Sequence, residues 1–195
     1  SNVRKERCWN PNRYNKAAMR VREALKKEKT ISLGDVATVI RPRPDEERKH
    51  TEYCAMPGAW QYPVDYSKMR SGVLTDCALR KGDIVFLDSK RMFFIYDETE
   101  HEIHTSPNCF VIRPNNICPE YLFMYLKSET AQIVMESESF GTVIQRIRKE
   151  DLMNLPVIFP EKDGQYYERI FYVEYFPVND IVEINRTIFD SKVSE

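Results

Sequence analysis

The sequence predicts a domain of mixed α and β structure, because short apolar strands and amphipathic helices follow one another along its 195 residues. Residues 84–87 and 92–96 are apolar, have the length of strands and flank a polar turn. Pro119 and Glu120 open a segment with helical periodicity, and both residue types are favoured in a first helical turn. With 42% hydrophobic and 30% charged residues, the composition is that of a globular protein with a substantial core.

The chain opens with a predicted amphipathic helix over residues 12–29. Four apolar residues recur at the spacing of one helical face: Tyr14, Ala18, Val21 and Leu25. Residues 1–50 hold 14 Lys and Arg against 7 Asp and Glu, although the whole chain has a net charge of −1. This basic surface could face phosphates or be an ordinary solvated helix. The apolar stripe could pack on a neighbouring chain, but we expect it to pack on its own domain.

The segments after this helix alternate between predicted strands and loops. Residues 31–40 predict a strand that a Gly-Asp pair interrupts, and residues 41–49 predict a charged loop that two prolines keep irregular. Residues 51–78 are rich in aromatic residues and show little periodicity, which predicts an irregular insertion. Residues 109–113 predict a further strand, and residues 129–135 predict a second helix capped by the preceding serine.

Residues 139–160 contain hydrogen-bond donors of the kinds that contact nucleic acids. Gly141 permits a tight turn close to a phosphate, and the residues after it alternate between apolar side chains and hydrogen-bond donors. Arginine can pair in bidentate fashion with guanine and glutamine with adenine, and arginine or lysine can neutralise phosphate. A hairpin with a basic solvent face fits the same pattern. Residues 155–160 predict an edge strand bounded by prolines.

Five motifs occur in a fixed order along residues 31–160. They are ISLGDVA at 31–37, LRKGDIVF at 79–86, TSPNCFVIRP at 105–114, ICPEYLFMYLKS at 117–128, and the stretch 139–160. Each motif by itself occurs in many proteins. In this order, over roughly two-thirds of the chain, they resemble the target recognition domain of DNA specificity subunits from type I restriction-modification systems.

The resemblance implies a fold, a ligand and a partner. The expected fold is a mixed sheet, curled or partly closed into a barrel, with helices at its side, and the expected ligand is double-stranded DNA of a specific sequence. The implied partner is an adenine-specific DNA methyltransferase subunit or domain, which would carry the chemistry. This sequence has no Gly-rich S-adenosylmethionine loop and no Asn/Asp-Pro-Pro-aromatic motif. We therefore expect a non-catalytic recognition domain without a cofactor.

The resemblance also implies which side chains approach DNA. The candidates are Arg41, Arg43, Ser89, Lys90, Arg91, Gly141, Thr142, Gln145, Arg146 and Arg148. Residues 89–91 lie at a turn between two apolar strands, which would hold flexible donors on a rigid support. Arg41 and Arg43 fit a solvated loop equally well.

We expect three parts in the chain: an N-terminal helix in residues 1–30, the recognition domain in 31–160 and an extension of uncertain structure in 161–195. The resemblance ends at residue 160, because no heptad pattern of a spacer helix follows. The aromatic residues of the extension leave open a protein-interaction module. Since the chain begins with Ser-Asn instead of Met, we also expect a fragment of a larger protein, such as a fused methyltransferase or restriction enzyme.

Two patterns raise the possibility of metal chemistry. A Pro-Asp pair ending at Asp45 and an Asp-Ser-Lys run from Asp88 to Lys90 mimic magnesium-dependent nucleases, in which two carboxylates bind the metal and a lysine assists water. This nuclease is the alternative to recognition. His101 and His104 have no third ligand nearby, so we expect no metal site there.

Cysteine usage and hydropathy indicate the compartment. Five cysteines without Cys-x-x-Cys spacing predict neither a disulfide framework nor a zinc site, and we expect reduced, mostly buried thiols. No apolar run approaches the roughly 18 residues of a membrane span, and no secretory pattern opens the chain. We expect a cytoplasmic protein without a membrane partner.

Overall fold

A computed structural model describes residues 14–45, 51–55, 70–72, 75–96, 102–140 and 146–159. The helices in these ranges are α1 (Lys16–Leu25), α2 (Leu33–Val36), α3 (Pro119–Lys127), α4 (Glu129–Glu138) and α5 (Lys149–Met153). The strands are β1 (Thr30–Ser32), β2 (Ala37–Ile40), β3 (Thr51–Ala55), β4 (Arg70–Gly72), β5 (Ile84–Leu87), β6 (Met92–Ile95), β7 (His104–Thr105), β8 (Phe110–Pro114) and β9 (Pro156–Ile158). The prediction of a mixed α and β domain is confirmed.

An antiparallel sheet in the order β2-β8-β5-β6 forms the centre of the fold. All four residues of β5 are buried, because successive side chains of a strand point to opposite faces and both faces are covered. Ile84 and Phe86 pack into a large cluster with the helices, and Val85 and Leu87 pack into a smaller cluster on the other face. The predicted strands at 84–87, 92–96 and 109–113 are confirmed as β5, β6 and β8.

Helices α3 and α4 cover one face of this sheet. Pro119 starts α3 at the position where its missing N–H has no consequence, and the Ser128 side chain accepts a hydrogen bond from the Ala131 N–H to cap α4. The predicted apolar face of α3 is buried: Tyr121, Leu122, Tyr125 and Leu126. These side chains belong to the same cluster as the inner residues of β5.

Helix α1 packs on α4 of its own chain, as expected. Ala18 and Leu25 are buried, and the Arg22 guanidinium donates hydrogen bonds to the side chains of Ser137 and Glu138 on α4. The expected stripe is wrong at its first residue, because Tyr14 is 64% exposed. The Asn15 side chain caps the helix by accepting from the Ala17 N–H at 3.1 Å, so Tyr14 precedes the helix instead of lying on its buried face.

The predicted strand at 31–40 is confirmed in two pieces, with the single helical turn of α2 where the Gly-Asp pair interrupts it. Its first piece, β1, pairs antiparallel with β9, which is the predicted edge strand. Two tyrosine hydroxyls of α3 donate to carbonyls of β9: Tyr121 to Ile158 at 2.8 Å and Tyr125 to Pro156 at 2.5 Å. Burial raises the pKa of Tyr125. These bonds anchor a two-stranded sheet that would be marginal by itself.

A small second sheet has the order β4-β3-β7, with β3 antiparallel to β4 and parallel to β7. Two of its strands fall inside residues 51–78, where the sequence predicts an irregular insertion, and that prediction is wrong at these strands. Main-chain pairing orders them without the side-chain alternation that marks a strand in sequence. The described strands form three sheets, and no closed barrel is present among them.

A buried ion pair fixes the start of β5. Arg113 on β8 donates from Nε and Nη2 to the two carboxylate oxygens of Asp83, at 2.9 and 2.8 Å. Asp83 also accepts the Arg80 N–H, which closes the turn where Gly82 has a φ of 87°. Hydrogen bonding to Asp83 raises the pKa of Arg113. The pair holds the turn before β5 against β8.

Among the cysteines whose side chains the structure describes, Cys77 and Cys109 are buried and Cys118 is half-buried, and none of these three forms a disulfide. Reduced, mostly buried thiols stay a prediction, and the burial of Cys77 and Cys109 agrees with it. Burial and the hydrogen bond to Glu120 raise the pKa of Cys118 to about 11.

Within the part of the chain that the structure describes, no helix has the length and apolar character needed to cross a membrane.

Asp83→Asn is expected to lower the free energy of unfolding by about 2–4 kcal/mol, because Arg113 would keep its burial and lose its carboxylate. Urea unfolding with an unchanged m-value is the measurement. Glu23→Gln is the matched control, since Glu23 and Lys26 form an exposed pair in which both side chains are 69% accessible. It should leave stability unchanged, and equal losses in both variants would contradict this account.

Candidate nucleic-acid interface

The turn between β5 and β6 presents polar side chains at one end of the central sheet. Asp88–Lys90 form a single 3₁₀ turn, and Arg91 closes it in the left-handed conformation with a φ of 53°. Ser89 and Lys90 are exposed, whereas Asp88 is buried. A left-handed conformation is costly for a residue other than glycine, so contacts around Arg91 must hold the turn in this shape.

Arg91 provides one such contact, to the end of α4. Its Nη2 donates to the Ser139 hydroxyl at 2.6 Å, and that hydroxyl donates to the Met135 carbonyl at 2.7 Å. A cation is favourable at this place because helix carbonyls gather at a C-terminus. Burial lowers the pKa of Arg91, while the negative charges of Glu136 and Asp88 act in the opposite direction. Arg91 thus has a structural role that the sequence did not predict.

Arg146 provides the second link between the turn and the stretch after α4. Its Nη1 donates to Asp88 Oδ1 at 3.1 Å, and the two side chains are 34% and 1% exposed. Phe140 and Arg146 also exchange two main-chain hydrogen bonds of 2.8 Å, which hold these two residues side by side. The candidates Gly141, Thr142 and Gln145 lie outside the described residues.

Arg148 contacts the aromatic ring of Phe140. Its guanidinium carbon is 5.2 Å from the centroid of the Phe140 ring, a cation–π distance, and the Phe140 side chain is 47% exposed. We call five side chains the basic cluster: Ser89, Lys90, Arg91, Arg146 and Arg148. The hydrogen-bonded links through Ser139, Phe140 and Asp88 bring its two segments together.

Arg41 lies at the same end of the central sheet as the basic cluster. It follows β2, and its guanidinium carbon is 5.2 Å from the centroid of Phe110, which pairs with Phe86 near the end of β5. Since neighbouring strands are about 4.8 Å apart, the end of β2 lies about 10 Å from the end of β5. Three separate segments therefore contribute arginine or lysine to one end of the sheet.

Arg43 lies farther along the same loop, and its main chain is fixed. The Arg43 N–H donates to the Asp76 carboxylate and the Arg43 carbonyl accepts the Asp76 N–H, both at 2.9 Å. The Arg43 side chain is exposed. The segment at Arg43 is therefore held by main-chain contacts and still presents a cation to solvent.

The metal hypotheses find no support in the described residues. No group of three or more His, Cys, Asp or Glu side chains there could hold a metal ion. Asp88, which the nuclease alternative needs as a ligand, is buried and paired with Arg146. His104 is buried, with Nε2 2.8 Å from Glu102 and Nδ1 3.4 Å from the Thr75 hydroxyl. His101 lies outside the described residues.

Three contributors to this arrangement are not among the residues predicted from the sequence to approach DNA: Ser139, Phe140 and Asp88. The sequence analysis assigns Asp88 only to the nuclease alternative. The sequence does contain one signal that Asp88 is buried and paired: it directly follows a wholly apolar strand. A buried carboxylate at such a place requires a cationic partner. The partner lies 58 residues away in sequence, so sequence spacing does not identify it.

A family model described as the type I restriction modification DNA specificity domain matches residues 26–175, more than half of the chain. The chain belongs to this family. In sequence, no protein of curated function matches this specificity domain significantly.

Three solved structures similar to this specificity domain come from type I restriction-modification systems. One is a structure that describes complex assembly and conformational transition of the type I system. It has a TM-score of 0.57 and 18% identity, and the match covers 73% of this chain and 40% of that chain. The HsdS subunit from Thermoanaerobacter tengcongensis has a TM-score of 0.55 and 18% identity, covering 71% and 39%. The S subunit from M. genitalium has a TM-score of 0.48 and 19% identity, covering 71% and 36%.

At these identities, the two structures with the higher TM-scores establish the fold. They confirm a mixed α and β fold in which helices flank antiparallel sheets. The chain spans about two-fifths of the length of these relatives.

Arg146→Ala is expected to lower the free energy of unfolding by about 1–3 kcal/mol, because Asp88 would stay buried without its ion-pair partner. Arg148→Ala is the matched control, since Arg148 is exposed and its contact with Phe140 contributes about 0.5–1 kcal/mol. Urea unfolding of the wild type and both variants measures the difference. A smaller loss for Arg146→Ala than for Arg148→Ala would contradict the role given to the Asp88 pair.

Proposed function

We propose that this chain binds double-stranded DNA at a specific sequence and directs a partner methyltransferase or restriction complex to that site. The observation that carries the proposal is the gathering of cationic side chains at one end of the central sheet from three segments: Arg41 after β2, the turn after β5, and residues 146–148. Membership of the specificity-domain family supports the same function.

The exposure of the side chains at this end of the sheet suggests two kinds of contact. Ser89 and Lys90 are exposed on a short turn, as are Arg41 and Arg43 on their loop, and such flexible donors suit phosphate oxygens. Arg146 is oriented by a buried carboxylate, which suits a base edge in the major groove. We assign Arg148 to the same face as Arg146. We assign the remaining proposed contacts to Gly141, Thr142 and Gln145, which lie between Phe140 and Arg146 in the sequence.

The chain's own part is recognition, and catalysis belongs to a partner. We propose residues 31–160 as the recognition domain, preceded by the helical residues 1–30 and followed by an extension in 161–195. The partner is an adenine-specific DNA methyltransferase subunit or domain, and the complex acts in the cytoplasm. The sequence has no S-adenosylmethionine loop and no methylation motif, so the recognition domain needs no cofactor of its own.

The test is selection of bound duplexes from a random DNA pool at physiological salt, with and without the methyltransferase. Salt must be high enough to suppress nonspecific phosphate binding, which otherwise hides specificity. An enriched motif in either condition supports the proposal and supplies the cognate duplex. The absence of an enriched motif in both conditions would overturn it. Magnesium-dependent cleavage abolished by Lys90→Ala would instead favour the nuclease.

Lys90→Ala is expected to weaken binding to every duplex by a similar factor, because a lysine on phosphate neutralises charge without reading sequence. The slope of log K against log salt should become smaller in magnitude by about 0.9 for the lost phosphate contact. Lys81→Ala is the control, since Lys81 is an exposed lysine in the turn at the opposite end of β5. A salt dependence that both substitutions change equally would contradict this placement.

Arg146→Lys is expected to reduce discrimination between the selected duplex and a scrambled one by about 1–3 kcal/mol. Lysine keeps the positive charge beside Asp88 but lacks the planar fork that pairs with guanine. Binding titrations with both duplexes measure the change, with Arg80→Lys as a control because Arg80 is exposed in the turn before β5. Unchanged discrimination in Arg146→Lys would remove the base-reading role from this residue.

A further inference from the structure

We infer that Asp88 is a positioning residue, which fixes the guanidinium of Arg146 in the orientation that recognises a base. The inference rests on the proposed function and goes beyond it, because it makes specificity depend on a buried acidic residue that cannot itself attract DNA. Among the surroundings of the basic cluster, Asp88 combines deep burial, negative charge and a direct bond to a proposed base-contacting side chain.

The support for Asp88 is rigid. It directly follows β5, whose four residues are buried between two hydrophobic clusters, and it is 3% exposed. The carboxylate therefore has little freedom to move. The cost of ordering a long side chain on binding falls when that side chain is already held in its bound orientation. Arg146 is the side chain that gains from such support.

The geometry of the pair leaves Arg146 available to a ligand. Asp88 Oδ1 accepts one bond from Nη1, and Oδ2 has no hydrogen-bond partner within the described ranges. A two-bonded fork would occupy two guanidinium N–H groups, as the Arg113 fork does with Asp83. The single bond with Asp88 instead leaves further N–H groups, and the Arg146 side chain is 34% exposed. The guanidinium is thus anchored at one edge and open at another.

The charges around Asp88 come from both linked segments. Arg146 forms the ion pair, and the Asp88 charge also acts on Arg91, whose hydroxyl partner Ser139 lies at the end of α4. Glu136 of α4 acts on Arg91 as well. The Asp88 carboxylate therefore pairs with one cation, Arg146, and its charge also acts on a second, Arg91.

Asp88→Asn separates positioning from simple electrostatics. The substitution removes one negative charge from the DNA-facing end, so an electrostatic effect by itself would strengthen binding to every duplex. Loss of positioning would instead reduce the preference for the selected duplex, while affinity for a scrambled duplex stays equal or rises. The two accounts thus predict different ratios of the two affinities: an electrostatic effect leaves the ratio unchanged, and loss of positioning lowers it.

The experiment is a double-mutant cycle with Asp88→Asn, Arg146→Lys and both together, each titrated with selected and scrambled duplexes. We expect Asp88→Asn to reduce the ratio of the two affinities by about 5- to 100-fold, and to cause no further loss in the Arg146→Lys background. Asp83→Asn is the control: it makes the same charge change at another arginine-paired aspartate, about 17 Å away at the other end of β5, and should keep the ratio.

Two results would overturn the inference. One is an unchanged affinity ratio in Asp88→Asn, and the other is an equal loss in the wild-type and Arg146→Lys backgrounds, which would indicate a general structural effect. Thermal unfolding of each variant sets a titration temperature at which all are folded. If the wild type itself selects no motif, the proposed function fails, and this outcome is distinct from failure of the Asp88 inference.

A measurement on the wild-type protein covers the case in which Asp88→Asn does not fold. In NMR spectra of the DNA-free protein, the guanidinium N–H signals of Arg146 should show restricted rotation, and those of the exposed Arg148 should average freely. Arg146→Lys and Arg148→Lys assign the two sets of signals. Equal averaging for both arginines before DNA is added would refute prior positioning by Asp88.

Discussion

The burial of β5 on both faces is the constraint on which the rest of this structure depends. A strand with four apolar residues between two hydrophobic clusters cannot shift its register without exposing one set of side chains and burying polar neighbours. Asp83 before the strand and Asp88 after it are consequently fixed in position and buried. Each has an arginine partner, because an unpaired carboxylate in such a place is costly.

The two aspartate–arginine pairs differ in a way that suits different purposes. The Asp83 carboxylate receives two bonds from Arg113, whose side chain is 20% exposed, so this fork is committed to the fold. The Asp88 carboxylate receives one bond from an arginine that is 34% exposed. The first pair closes the core beside a turn, and the second presents a cation at the surface. One end of β5 thus holds a fork that is committed to the fold, and the other holds the arginine to which we assign recognition.

Local sequence patterns predicted several elements of this fold, and long-range contacts determine the elements that local patterns did not predict. Contiguous apolar runs predicted β5, β6 and β8, and the helical spacing of α3 predicted its four buried residues. Strands β3 and β4 were missed, because pairing with distant strands orders them without alternation of their own. For the candidate site, residue type alone selected the basic side chains. Residue type could not show that Lys90 is exposed whereas Arg91 is bonded to the Ser139 hydroxyl, 48 residues away.

The distribution of charge favours discrimination over tight nonspecific binding. A protein that coats DNA gains affinity from many phosphate contacts, and this sequence-independent affinity competes with recognition of one site. Here the whole chain has a net charge of −1, while cations from three segments gather at one end of the central sheet. Placing a buried carboxylate among them lowers the local positive potential further. That loss of attraction is tolerable where the orientation of Arg146 matters more than the number of phosphates neutralised.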